Sequence, residues 1–201
     1  MQPSESPSPS SAVNHEAGSM VGLFWVTGDE VYVGTPPGAG AGSGGVRLTP
    51  EGVRLARATQ HEPGEDEARE GEPRRDWSWS ELLEVRVTDA PVRSATVRWG
   101  VHALSVAAAV FDLWVPGEPA SMTVALTTKE GDESTAGVLS GAAVAYSPRE
   151  VDLSLGLLAR FVRGESSPTV LTGWWNEVQP ARVLRSRERE AVLAGWLGDI
   201  G

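Results

Sequence analysis

The stretch VRLTPEGVRLAR, residues 46–57, echoes an earlier stretch, FWVTGDEVYVG, residues 24–34. Each consists of two short runs of apolar and β-branched residues on either side of a two-residue connection. In the earlier stretch the connection is Gly28-Asp29, and a glycine supplies the positive φ that hairpin turns require. In the later stretch it is Pro50-Glu51, where the fixed φ of proline suits the second position of a turn. The sequence therefore predicts two β-hairpins in succession.

Further runs of strand-forming residues follow the hairpins. The run 82–88 alternates apolar and polar residues, which predicts a half-buried strand with Leu83, Val85 and Val87 on its buried face. Other strands are predicted at 94–100, 104–115, 120–128 and 138–146. The alanines of the last segment would also suit a helix.

Two helices are predicted near the C-terminus. The first, 148–163, follows Ser147 as N-cap, with Glu150 completing a capping box and Gly164 as the stop signal. Its apolar residues recur at helical spacing, so one broad face is expected to be buried. A second, shorter helix is predicted at about 186–198.

The order of elements, strands first and helices last, is typical of an α+β fold with a mainly antiparallel sheet. Residues 21–201 are expected to form a single β-rich domain that ends in the two helices. Residues 1–20 are rich in serine and proline and poor in large apolar residues, so they are predicted to be a disordered tail.

VRLTPEGVRLAR, followed by a loop and WSWSELLEVRV, resembles the opening of a bacterial pleckstrin-homology-like (PH/GRAM-like) domain. In that family a hairpin precedes a third strand that begins with a Trp-x-x-Leu-type element. The helix at 148–163 is similar to the helix that caps one open end of the family's barrel, so the resemblance covers about residues 46–163. It implies a β-barrel or strongly bent sheet capped by a C-terminal amphipathic helix, here with a second short helix added.

The resemblance also bears on function, through two departures from the family pattern. The family barrel has seven strands, whereas eight or nine are predicted here. Members that bind phosphoinositides carry basic residues in the first strand-loop-strand, where this chain has Gly28-Asp29 or Pro50-Glu51. The resemblance therefore implies a protein-interaction or scaffold role rather than recognition of lipid phosphates.

Charge and composition narrow the partners and the compartment. A net charge of -10 and a pI near 4.8 repel phosphate backbones and anionic headgroups, so we expect neither nucleic-acid binding nor peripheral membrane binding. The most apolar run, 103–115, is too short to span a bilayer, so no transmembrane segment is expected. With no signal-peptide pattern and no cysteine, the chain is predicted to be cytoplasmic.

Catalytic and cofactor motifs are mostly absent from the sequence. Gly40-x-Gly42-x-x-Gly45 matches the sequence of a dinucleotide-binding fingerprint but not its structural context, because a predicted strand, and not a helix, follows it. His102 is the one imidazole among predicted strands and lacks the partners of a metal site or a catalytic triad. We therefore predict a non-catalytic protein without cofactor or metal. Two alternatives stay open: a β-barrel that holds a small apolar ligand or lipid, and an enzyme that uses His102.

A pair of tryptophans and a basic run are the candidate binding residues. Of the eight tryptophans, those at 25, 99 and 114 lie in predicted strands and are expected in the core. Trp174 and Trp175 are adjacent, so they cannot easily both face one core. The residues proposed to bind another protein are this pair together with the arginines that follow it: Trp174, Trp175, Arg182, Arg185 and Arg189, with Arg187 in the same run.

A second interpretation of the same residues stays open. The two tryptophans could pin the second helix to the domain, and the arginines could form a solvated face. In that case the segment would stabilise the fold and would carry no binding function.

Overall fold

The computed structural model describes residues 18–37, 44–56, 76–93, 120–142, 145–180 and 182–198. These residues form an α+β fold with nine strands, antiparallel in two sheets, and three helices. The strands predicted at 94–100 and 104–115, His102, Gly40 and Gly42 lie outside the described residues, as do residues 1–17 of the predicted tail.

The first sheet is a meander of six antiparallel strands in the order of the chain. Its strands are β1 (Ser19–Val21), β2 (Phe24–Thr27), β3 (Glu30–Val33), β4 (Gly45–Leu48), β5 (Gly52–Ala56) and β6 (Asp76–Ser78). Both predicted hairpins are confirmed: Thr27 pairs with Glu30 across a turn in which Gly28 has φ +51°, and Leu48 pairs with Val53. Strand β1 begins at Ser19, two residues before the predicted start of the domain.

The second sheet has three antiparallel strands: β7 (Leu82–Thr88), β8 (Ser121–Thr128) and β9 (Glu133–Leu139). The strand predicted at 120–128 is confirmed as β8. The last strand was predicted at 138–146, but β9 lies upstream, because a tight turn returns the chain directly after β8. Gly131 has φ +95° in that turn, and Thr128 Oγ1 accepts a hydrogen bond from Asp132 N at 3.0 Å. Tyr146 forms only an isolated parallel bridge with Val92.

A β-bulge changes which residues of β7 are buried. The register with β8 shifts between Leu82 and Glu84. As a result Leu82 is fully buried, and Leu83, which was predicted on the buried face, is 62% exposed. The alternation resumes after the bulge, so the predicted burial of Val85 and Val87 is confirmed.

The described strands form two sheets and no closed barrel, so the expected barrel is not confirmed. The chain turns at 79–81, where Glu81 N donates to Ser78 O at 3.1 Å, so β6 and β7 enter different sheets. A hydrogen bond of 2.9 Å from Thr35 N, after β3, to Leu139 O of β9 links the two sheets, and one of the same length from Lys129 N to Glu81 O extends the pairing of β7 with β8.

The three helices are α1 (Pro148–Val162), α2 (Thr169–Val178) and α3 (Ser186–Leu197). The capping box of α1 is confirmed: Ser147 Oγ accepts from Glu150 N at 3.0 Å, and Glu150 Oε2 accepts from Ser147 N at 2.8 Å. Gly164 follows the end of α1 with φ +70°. The predicted helix at about 186–198 is confirmed as α3, which ends before Gly198.

Helix α2 was not predicted. It has no side-chain hydrogen bond at its N-cap, Pro168, and it carries Gly173 in its interior. Both features remove the local signals by which a helix is recognised in a sequence.

Helix α1 packs against both sheets. Its Phe161 ring lies 6.5 Å from Phe24 of β2 and 5.7 Å from Trp79, and the helix also packs on β7. Ser154 Oγ accepts a hydrogen bond from Leu23 N at 3.1 Å. One buried apolar cluster therefore includes residues of both sheets and of all three helices. None of the described helices is long and apolar enough to cross a membrane.

Candidate functional site

Trp174 and Trp175 lie on α2, and both are half-buried. The Trp174 ring packs edge-on against Trp196 of α3, with 5.9 Å between centroids, and lies 6.5 Å from the Trp175 ring. Both rings also pack on the hydrophobic core. Trp174 therefore joins α2 to α3, which supports the packing interpretation for this residue.

Two large apolar side chains after Trp175 are exposed. Val178, one turn further along the helix, is 52% exposed, and Val183, in the connection to α3, is 77% exposed. Large apolar side chains that stay exposed next to a tryptophan and arginines are typical of interface surfaces.

Arg189 is buried, so it does not belong to a solvated basic face. Its Nε donates to Glu150 Oε1 and its Nη1 donates to Leu184 O at 2.5 Å. The other oxygen of Glu150 accepts from Ser186 Oγ at 2.6 Å and from Ser147 N at 2.8 Å. This network connects the N-terminal turn of α1 with that of α3.

The pKa of Glu150 reflects these contacts. Burial alone would raise the pKa, but the hydrogen bonds from Arg189, Ser186 and the Ser147 backbone outweigh burial and hold it below its ordinary value of 4.5. Glu150 is therefore an ionised carboxylate whose charge is balanced by Arg189, and it positions the Arg189 side chain.

Arg182 is exposed and forms a bidentate pair with Glu188, with contacts of 2.5 and 2.9 Å. Hydrogen bonds from Arg182 and from the Arg185 backbone lower the pKa of Glu188 to about 2. Arg185 and Arg187 are exposed, and within the described part of the chain neither side chain forms an ion pair. The charge of Arg185 contributes to the lowered pKa of Glu188, so Arg187 is the arginine of this run that has no charged partner among the described residues.

The structure brings Arg182 and Arg189 together at one cavity of about 270 Å³. We call it the Trp25 cavity. Its described lining is Gly18, Ser19, Met20, Trp25, Arg93, Gly141, Ala142, Ala145, Pro180, Arg182, Val183 and Arg189. Trp174, Trp175 and Arg185 do not line it. None of the described lining residues is a carboxylate or an imidazole; Arg182 and Arg189 are each paired with a carboxylate, and Arg93 is the lining arginine without an ion-pair partner among the described residues.

Ser19, Trp25 and Arg93 were not predicted as site residues. Ser19 falls in the predicted tail, Trp25 was expected in the core, and Arg93 lies in no recognisable motif. No signal in the sequence connects these three positions, because the sheet and the segment between α2 and α3 bring them together.

A larger groove of about 820 Å³ lies between the two hairpin turns and the start of α2. Its arginines are already engaged: Arg54 pairs with Asp76 at 2.6 Å, and Arg47 pairs with Glu30 at 2.9 Å. The described residues contain no group of three or more potential metal ligands. His102, on which a catalytic interpretation depends, lies outside them.

No family model, curated protein or solved structure was found to match the chain.

Proposed function

We propose that the protein is a non-catalytic interaction module that binds another protein through its 175–187 surface. This surface consists of Trp175, Val178, Arg182, Val183, Arg185 and Arg187. The observation that carries the proposal is the exposure of Val178 and Val183, 52% and 77%, in the same stretch of chain as half-buried Trp175 and exposed arginines. Tryptophan and arginine are enriched among residues that dominate binding energy at interfaces.

Charge argues for an acidic partner. The chain as a whole carries a net charge of -10, whereas Arg187 on this surface has no charged partner among the described residues and Arg185 forms no ion pair with them. Opposite charge on the partner would steer it to this surface and orient it. The apolar valines would then supply buried area at the centre of the contact.

The proposed relationship to pleckstrin-homology-like domains fits this role. Two antiparallel sheets and an amphipathic helix that packs against both support the relationship. The chain would depart from that family in its open sheets and in the two helices that follow α1. Those added helices carry the proposed binding surface.

The test is a comparison of partner capture from the native cell by three forms of the protein. We expect the double variant Val178→Asp/Val183→Asp to lose a partner that the wild type captures, with no change in thermal stability, since both side chains are exposed. Leu83→Asp is the matched control, because Leu83 is 62% exposed on β7, in the second sheet. This variant should capture the same partner as the wild type.

Capture of the same set of proteins by all three forms would refute the proposal. A large loss of stability in the double variant would instead favour a packing role for this segment. The captured partner should also bind more weakly to an Arg185→Glu/Arg187→Glu variant than to the wild type. This difference in affinity should be larger at low salt, where charge attraction is less screened.

A further inference from the structure

The Trp25 cavity combines an apolar wall with several polar groups that have no partner in the described part of the chain. The apolar part of its lining comes from three separate segments of the chain: Met20, Trp25, Ala142, Ala145, Pro180 and Val183. Gly18 passes so close to the indole that a Cβ at this position would lie 2.1 Å from Trp25 Nε1. The close approach places the Nε1 side of the indole against Gly18, which also lines the cavity.

Ser19 provides an observation that points to a ligand. It is only 6% exposed, it lines the cavity, and its hydroxyl has no hydrogen-bond partner among the residues that the structure describes. A buried polar group without a partner costs about 1–3 kcal/mol. A ligand that accepts a hydrogen bond from this hydroxyl would remove that cost.

The other free polar groups at the cavity are donors. Trp25 Nε1 and Arg189 Nη2 donate to no described residue, and the Arg93 guanidinium has no ion-pair partner among them. Arg189 is held in place by Glu150 and by the carbonyl of Leu184. Arg182 and Arg189 are already paired with Glu188 and Glu150, so Arg93 supplies the free positive charge among the described lining residues. Together with the free N–H groups it selects an acceptor with negative charge.

The size of the cavity limits the ligand. At about 270 Å³ it lies just below the range of roughly 300–1,000 Å³ that is usual for small-molecule sites. It therefore suits a group of the size of one amino-acid residue. The apolar wall requires an apolar portion next to the charged one.

We propose that the Trp25 cavity binds an apolar group that carries a carboxylate. The carboxylate lies against Arg93, Arg182 and the free edge of Arg189, with the Ser19 hydroxyl as a further donor. The apolar portion lies on the indole of Trp25. Two sources share this chemistry, the C-terminal residue of a peptide chain and a free small acid. The site goes beyond the contact proposed for the 175–187 surface, because a free acid would occupy it without any partner protein.

The experiment is a titration followed by nuclear magnetic resonance of the ¹⁵N-labelled full chain, with the indole N–H of Trp25 as the reporter. The probes are N-acetyl-leucine, its uncharged amide and acetate. We expect saturable shifts with N-acetyl-leucine, roughly tenfold weaker binding of the amide, which lacks the charge, and much weaker binding of acetate, which lacks the apolar portion.

Variants locate the binding. Arg93→Ala and Arg182→Ala should each weaken N-acetyl-leucine binding by about tenfold. Arg163→Ala is the matched control, because Arg163 is exposed and paired with Glu165 as Arg182 is with Glu188, but it does not line the cavity. Arg93 and Arg182 are both exposed, so these variants are expected to stay folded, which their unchanged amide spectra would verify.

Further outcomes identify the source of the ligand and test the proposal. Tighter binding of a tripeptide that ends in leucine with a free carboxylate would identify a peptide terminus, and equal binding would identify a small acid. The proposal is overturned if the Trp25 indole signal does not shift, if the amide binds as well as the acid, or if the Arg163 variant loses as much affinity as the other two. These results do not depend on partner capture, so they separate this proposal from the proposed function.

Discussion

Glu150 and Arg189 illustrate how one pair of residues determines the position of two helices. Glu150 completes the capping box of α1 and also pairs with Arg189 of α3, while Arg189 holds the carbonyl of Leu184 just before that helix. Both side chains are buried, with 0% and 7% exposure. A buried charge is tolerated only if it is paired and hydrogen-bonded, so neither residue can be removed alone without a cost.

We therefore expect Glu150→Gln to lower the free energy of unfolding by about 3–5 kcal/mol at pH 7, because it leaves the Arg189 charge buried and uncompensated. Urea denaturation would measure the change. The control is Glu165→Gln, which breaks an exposed pair with Arg163 and should leave the midpoint almost unchanged. An equal effect of both substitutions would contradict this role of Glu150.

The stability difference between wild type and Glu150→Gln should depend on pH. The folded protein holds the Glu150 pKa below its ordinary value of 4.5, so the carboxylate contributes its stabilisation above pH 4.5 and loses it as the pH falls through the lowered pKa. Denaturation at a series of pH values should show a constant difference from pH 7 to 5 and a shrinking one below 4.5. A difference that stays constant down to pH 3 would contradict the assignment.

Both tyrosines of the chain should resist ionisation at pH 10. Burial, together with the hydrogen bond that the Tyr32 hydroxyl donates to Glu30, raises the Tyr32 pKa to about 12, and burial also raises the pKa of Tyr146. Absorbance at the tyrosinate band should therefore show no step near pH 10 in folded protein. In urea both should titrate near 10, their ordinary value. A folded-state step at pH 10 would show that one hydroxyl is solvated.

At the scale of elements, the turn between β1 and β2 determines how closely the first sheet approaches α1. Gly22 has φ +58° in this turn, and a Cβ there would lie 2.2 Å from Ser154 Oγ and 2.7 Å from Leu193. The next residue, Leu23, donates its backbone N–H to the same Ser154 hydroxyl. Only a glycine allows this turn to sit directly on the helices.

Gly22→Ala is expected to destabilise the fold by at least about 1–2 kcal/mol, the cost of positive φ for a residue with a Cβ, with a further cost from contact with the helices. Gly173→Ala is the matched control: it lies inside α2 with no atom near its added Cβ, so it should stabilise by about 0.5–1 kcal/mol. Thermal unfolding of both variants would measure the contrast. Similar melting points for the two would contradict the close approach.

For the whole molecule, a shared core predicts cooperative unfolding. Phe161 of α1 contacts Phe24 in the first sheet and Trp79 at the junction, and the buried cluster continues into β7 and β8. Because each sheet buries its apolar face in the same cluster, neither sheet should be stable without the other.

Hydrogen exchange would test this expectation. The slowest-exchanging amides of β2 and of β8 should open with the same free energy, equal to that of global unfolding. As urea is added, the opening free energy of both sets of amides should fall with the same slope against urea concentration. Earlier exchange of β8 at a lower free energy would show that the second sheet opens by itself.

The sequence by itself determined the features that contiguous residues encode. The two hairpins, strand β8, the capping box of α1 and the extent of α3 depend on turn and cap residues only a few positions apart, and all are confirmed. Helix α2 was not predicted because it lacks these local signals. The bulge in β7 arises from its pairing with β8, and the sequence of β7 alone does not specify that pairing.

Only the tertiary structure decided where the charges and rings of the candidate sites lie. Arg189 belongs to a basic run in the sequence, yet a carboxylate 39 residues away draws it into the interior. The Trp25 cavity joins Ser19 and Trp25 of the first sheet to Arg93 and to the connection between α2 and α3. Contacts between residues so far apart in the chain depend on how the sheets and helices pack, because only packing brings their side chains within the few ångströms over which hydrogen bonds and burial act.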